Sequence, residues 1–259
     1  MGIFDAAKAA MSGNRAYRMH VDANKLASEG KPEEAGAKYQ QALKLYGEAD
    51  RLGVLAPNIT RAYALLLLRE GRADEAMDLM RRMAKNKALS EEEWFQLRVQ
   101  YAIGHWCAGE LDEAMETMGR AAKYKMNGNV YSTMGLFWVD KAKKTGEYDE
   151  ALKFNLEALD YDDEDASTLD NLGQLYEAMA GKDADRAGEY RAKALEYFEK
   201  AHAIKPRQIT TLYYLARMLH QDGDDERARR LLSVRNTLYF SQICPVTRDM
   251  MDQLAREIG

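Results

Sequence analysis

The chain is poor in the residues that announce a covalent scaffold, a linker or an active site. It has two cysteines, four prolines and four histidines in 259 residues. Cys107 and Cys244 lie far apart without CxxC spacing, which excludes a zinc or disulfide framework and predicts reduced thiols in or near helix faces. Scarce proline and the lack of any Gly/Ser-rich stretch leave no flexible linker. The longest apolar run, Ala62 to Leu68, is far too short to span a bilayer. The start, Met1 to Asp5, carries an acid where a signal peptide has its basic region, so a cytoplasmic location is expected. Ala6 stands where a myristoylation motif wants Ser or Thr.

Chemical motifs are missing too. There is no GxGxxG, P-loop, GxSxG or HExxH sequence. His105 and Cys107, two residues apart on a helix, point in different directions, which excludes both a nucleophile pair and a metal site. His105 is expected to be a satisfied core histidine. The run Asp160, Asp162, Asp163, Glu164, Asp165 lacks the glycine an EF-hand loop needs at its sixth position, and predicts an acidic helix N-terminus. The net charge of −5 offers no nucleic-acid surface. Residues 1–130 hold 19 Lys/Arg against 18 Asp/Glu, and residues 131–259 hold 18 against 24. No catalytic constellation, cofactor site or metal site is indicated, so an enzyme is not expected.

What the chain does have is a recurrent pattern. Gly30, Gly71, Gly109, Gly146 and Gly223 each end a helical stretch. Five residues after each comes Ala35, Ala76, Ala114, Ala151 or Ala228. Four further on stand Tyr39, Met80, Met118, Asn155 and Leu232, and three beyond those Ala42, Met83, Ala121, Ala158 and Arg235. Spacings of four and three put these residues on one helix face. Small residues precede the turns at Ala23, Ala64, Ala102, Val139, Gly173 and Ala216, where they let two helices approach closely. Two stretches run long. Tyr46, Ala49 and Leu52 prolong a helix up to Gly53, and Ala184, Ala187, Tyr190, Ala194, Leu195 and Phe198 predict a longer second helix in the fifth copy. Residues 3–11 predict a short amphipathic helix with Ile3, Phe4, Ala7 and Met11 inward, as a lid on the first copy.

This pattern resembles the tetratricopeptide repeat family. The resemblance implies an all-α fold, an α-solenoid of about six antiparallel helix-turn-helix repeats with N- and C-terminal capping helices. The repeats fall at about 16–49, 57–90, 95–128, 132–165, 166–208 and 209–242, within a single superhelical domain over 1–259. A capping helix from Pro245 to Ile258 would lay Met250, Met251, Leu254 and Ile258 on the sixth repeat. Arg98, His105 and Asn155 depart from the family's apolar positions.

In this family the first helix of each repeat lines a concave groove. The resemblance therefore assigns groove positions to Tyr17, His20 and Asn24, then Asn58, Arg61 and Arg69, then Gln96 and Gln100. Lys143 follows in repeat four, Asp170, Asn171, Gln174 and Glu177 in five, and Tyr213, Tyr214 and Arg217 in six. Amides can satisfy both the donors and the acceptors of a peptide backbone, and arginine offers a forked donor to a carboxylate. The family's clamp for chaperone C-termini is matched only by Asn24, so that ligand is not implied. The expected role is a non-enzymatic scaffold holding a peptide or partner helix, with no nucleic acid, membrane span, cofactor or metal involved. The alternatives are a self-assembling structural subunit and a regulatory adaptor. The roughly 15 residues before the first repeat cannot form a DNA-binding helix-turn-helix.

Overall fold

The computed structural model describes residues 3–53 and 55–259, apart from the side chain of Ile3. The expectations about Met1, Gly2 and the inward side chain of Ile3 fall outside the described residues. Helices follow one another along the chain in the order of the repeats, with no strand among the described residues. They are α1 (Ile3–Ser28) and α2 (Pro32–Leu52), which pack together, α3 (Pro57–Arg69) and α4 (Ala73–Met83), which do likewise, and then α5 (Glu91–Cys107) and α6 (Leu111–Tyr124). Then come α7 (Gly128–Thr145) with α8 (Asp149–Tyr161), α9 (Ala166–Ala180) with α10 (Ala187–Ile204), and α11 (Ile209–Gln221) with α12 (Asp225–Leu232). Helix α13 (Arg248–Ile258) ends the chain. The fold class is the all-α solenoid that the repeat pattern implied. Contacts group the residues into two compact units. The first runs to Glu110 and includes Asn236–Ile243; the second holds Leu111–Arg235 and Cys244–Gly259.

The repeating residues build both the turns and the core. Gly30, Gly71, Gly109, Gly146 and Gly223 all adopt left-handed backbone, with φ between 76° and 81°. At Gly109 the next residue, Glu110, donates its N–H back to the His105 carbonyl at 2.9 Å, closing the helix end. A Cβ at Gly109 would touch nothing within 4 Å. Gly109→Ala therefore isolates the backbone strain and is expected to cost ~1–2 kcal/mol in a thermal or urea melt. The small residues Ala23, Ala64, Ala102, Val139 and Ala216 are fully buried, as are Ala35, Tyr39, Met80, Ala114 and Met118. Pro32 and Pro57 open α2 and α3, where a missing N–H costs nothing. In α13, Met251, Leu254 and Ile258 are buried, and the helix packs on α11 and α12.

The structure departs from the local expectations at six points. No separate N-terminal helix exists. Residues 3–28 form one helix because Ala9, Gly13 and Ala16 continue its buried face. A Cβ at Gly13 would lie 3.2 Å from Ile59, 3.3 Å from Leu55 and 4.0 Å from Ala49, so the start of α1 packs where α2 gives way to α3. Phe4 and Met11 point outward, 83% and 73% exposed. In the fifth repeat, residues 181–186 form turns and α10 begins at Ala187, so Ala184 is outside the helix. In the sixth, α12 stops at Leu232, and a 3-10 turn (Arg235–Thr237) leads into an irregular stretch. Helix α13 starts at Arg248, not Pro245, because the Thr247 hydroxyl caps it by accepting from the Met250 N–H at 3.2 Å. His105 is half-buried and bonds Glu110 at 2.6 Å, so it is no core residue.

Candidate functional site

In the first unit, α3 and α5 bring two of the expected groove residues, Arg61 and Gln100, together. The Gln100 amide donates to the main-chain carbonyl of Arg61 at 3.1 Å, which ties the two first helices together. Arg61 Nε and Gln100 Oε1 are both buried and have no hydrogen-bond partner. A buried donor and a buried acceptor on neighbouring helices are costly unless something completes them. Gln96 bonds Glu92 on its own helix at 2.9 Å, and Asn58 and Tyr17 are exposed.

His20 and Asn24 are already engaged. His20 is buried edge-on to Tyr39 and Tyr46, with ring centroids 5.8 and 6.2 Å away. Burial, helped by the Arg69 charge, lowers its pKa to about 4. The Asn24 side-chain oxygen accepts from the Tyr39 hydroxyl and from Arg69, each at 2.8 Å. Both residues hold first-helix positions, but His20 is buried and the exposed Asn24 already bonds two side chains of the same unit.

The second unit holds a buried relay. Asp170 accepts from the Thr211 hydroxyl at 2.6 Å and from the Gln174 amide at 2.8 Å. The Gln174 oxygen in turn accepts from Lys143 Nζ at 2.7 Å, and Lys143 also reaches the Tyr214 hydroxyl at 3.3 Å. Burial pushes the Asp170 carboxyl up and the Lys143 ammonium down. Both oxygens of Asp170 accept hydrogen bonds, an arrangement that resists this upward push. Asn171 is buried too, with its amide on the Ser132 carbonyl at 3.1 Å. Arg217 pairs with Glu177 and lies over the rings of Tyr214 and Tyr213, 4.8 and 5.3 Å from their centroids. Its Nε is buried without a partner.

Residues 57–82 and 210–233 match the family model described as Tetratricopeptide repeat, one segment in each unit. These two segments are tetratricopeptide repeats. No curated protein matches it. Solved structures share the fold. A thermophilic TPR protein of Thermus thermophilus is 18% identical, with a TM-score of 0.51 over 64% of this chain and 83% of that one. Pseudomonas aeruginosa pilF is 19% identical, with a TM-score of 0.52 over 78% and 88%. A chain of the APC/C hetero-tetramer Cut9–Hcn1 is 14% identical, with a TM-score of 0.58 over 98% and 48%.

The departure from the repeat pattern at Asn155 has a packing reason. Asn155 replaces an aromatic residue and is fully buried, with its amide on the carbonyls of Ala151 at 2.9 Å and Gly135 at 3.3 Å. Gly135 makes room for it, since a Cβ there would sit 2.4 Å from the Asn155 oxygen. Cys107 and Cys244 are free thiols, and burial pushes each up to about 11. Among the described residues no helix is long and apolar enough to cross a membrane, and no cluster of three His, Cys, Asp or Glu residues could hold a metal. Two residues went unmarked in the sequence: Thr211, which anchors the relay, and Tyr239, which falls within the expected bounds of the sixth repeat. The available signal for Tyr239 was the β-branched and aromatic run from Thr237 to Ile243 ahead of Pro245.

Proposed function

We propose that this tetratricopeptide repeat protein is a non-enzymatic scaffold that binds a protein segment on the first-helix face of α3 and α5. The observation that carries this reading is the unspent pair, Arg61 Nε and Gln100 Oε1. An extended peptide presents one acceptor and one donor per residue and can complete both groups. Asn58 and Gln96 flank the pair on the same helices and supply further amides. The repeat fold supports protein partners in general, because each hairpin presents a first helix to the next and leaves a long polar face. Tyr213, Tyr214 and Arg217 form a second candidate contact, with Glu177 already engaged by Arg217.

The test is a pull-down from the source cell, followed by titration of the recovered partner. Arg61→Ala combined with Gln100→Ala is expected to weaken binding by about tenfold or more, the loss of two hydrogen bonds made to buried groups. Full binding by the folded double variant would sink this reading. Self-association is a second reading, favoured by the outward Phe4 and Met11 on α1. A mass that rises with protein concentration and returns to the monomer in Met11→Lys would support that reading instead.

A further inference from the structure

The stretch after the 3-10 turn belongs to the first unit, although it follows α12 in the chain. Residues 238–241 have no secondary structure of their own. Leu238 is buried, and Tyr239 and Ile243 pack against the apolar core of the first unit. The Tyr239 ring lies against Tyr39, with centroids 4.8 Å apart, and under the Arg69 guanidinium, 5.8 Å from its centroid. The Tyr239 hydroxyl donates to one oxygen of Glu70 at 2.5 Å, while Gln40 holds the other at 2.6 Å. The Gln242 N–H donates to the Arg69 carbonyl at 2.7 Å. Gly71 lets the chain approach, since a Cβ there would lie 3.1 Å from Gln242.

The receiving surface also has hydrogen bonds of its own that do not involve the segment. Asn24 fixes Tyr39 and Arg69 by accepting from both at 2.8 Å, and Gln40 fixes Glu70. Nothing in the helix ladder of α2 and α3 depends on residues 238–243. Gln40 and Asn24 remain exposed, and Arg69 and Glu70 half-buried. A covalently tethered segment competes at an effective concentration of about millimolar, so even a weak contact stays filled in cis.

We propose that Asn24, Tyr39, Gln40, Arg69, Glu70 and Gly71 form a docking site for an extended tyrosine-bearing segment of a partner, and that residues 236–243 occupy it as a built-in competitor. The ring pocket over Tyr39 selects an aromatic side chain, Glu70 selects its hydroxyl, and the Arg69 carbonyl reads the backbone three residues on. This site lies at the end of α3 opposite to Arg61, so it stands or falls separately from the α3–α5 contact proposed above.

The probe is a labelled peptide of residues 236–243, titrated into the full chain and into Tyr239→Ala, with helicity checked by circular dichroism. The variant is expected to bind the peptide about tenfold or more tighter than the wild-type chain, because the tethered competitor is weakened. Changing the peptide's tyrosine to phenylalanine, or adding Glu70→Ala to the variant, is expected to weaken binding several-fold through the lost charge-assisted hydrogen bond. No binding to a folded Tyr239→Ala chain, or equal binding by both chains, overturns the proposal. Amide exchange on the wild-type chain gives an independent readout should Tyr239→Ala fail to fold. The Gln242 amide is expected to exchange at least about tenfold faster than the core amides of α2 and α3, as a separately opening segment does. Equal protection would make the segment permanent core and overturn the proposal.

Discussion

Gly173→Leu is expected to destabilise the protein by about 3 kcal/mol, the upper part of the usual range for overpacking. An ideal Cβ at Gly173 would sit 2.7 Å from two atoms of the Phe198 ring and 2.9 Å from a third. The ring has no room to retreat. Phe198 is fully buried, and its ring stacks on Tyr214, with centroids 5.6 Å apart and 3° between the planes. The opposite error at the same contact is expected to be at least as damaging. Phe198→Ala removes the ring and leaves a cavity between α9 and α10, at about 3–5 kcal/mol. Urea midpoints measure both. The two changes share one contact, so the double variant should fall short of the sum of the single effects. An unchanged midpoint in Gly173→Leu would mean that α9 and α10 do not cross at this residue.

Acid is expected to remove about 3 kcal/mol of stability through His20 alone, between neutral pH and pH 4. The ring's pKa falls from 6.5 in the unfolded chain to about 4 in the fold. Below pH 6.5 the unfolded chain takes up a proton that the folded chain refuses. The stabilisation is therefore complete above the unfolded pKa and is lost as pH falls through the window from 6.5 to 4. Carboxylates titrate in part of that window, so the quantity to measure is a difference. Urea stability as a function of pH should fall more steeply for the wild-type chain than for His20→Leu, whose apolar side chain suits the pocket between Tyr39 and Tyr46. Parallel curves would mean that His20 is protonated or solvated in the folded state.

The repeat residues were legible because they encode local geometry. Glycine at 30, 71, 109, 146 and 223 is a statement about one backbone conformation, and each adopts it. Alanine and the apolar residues that follow at fixed spacing need only a helix and one neighbour, so their burial follows from the pattern. The same logic identified Gly173 as a close crossing. Position on a first helix was equally legible, and Arg61, Gln100, Tyr214 and Arg217 hold such positions. Whether a polar side chain there faces a ligand or another side chain was not. His20, Asp170 and Asn171 share that helix face with Arg61, yet all three are buried and engaged.

The sequence by itself determined an all-α array of helical repeats, the glycine turns and the small-residue crossings, because each depends on residues within one or two turns of helix or within one repeat. Only the tertiary structure decided the rest. Contacts over long separations fixed the division into two units, the relay from Lys143 through Gln174 to Asp170, and the seat of Tyr239 against Tyr39 and Glu70. Tyr239 and Glu70 lie 169 residues apart in the chain. No period or local preference relates two such residues; their contact exists because packed helices hold a ring pocket and a carboxylate at the place where an otherwise irregular stretch passes.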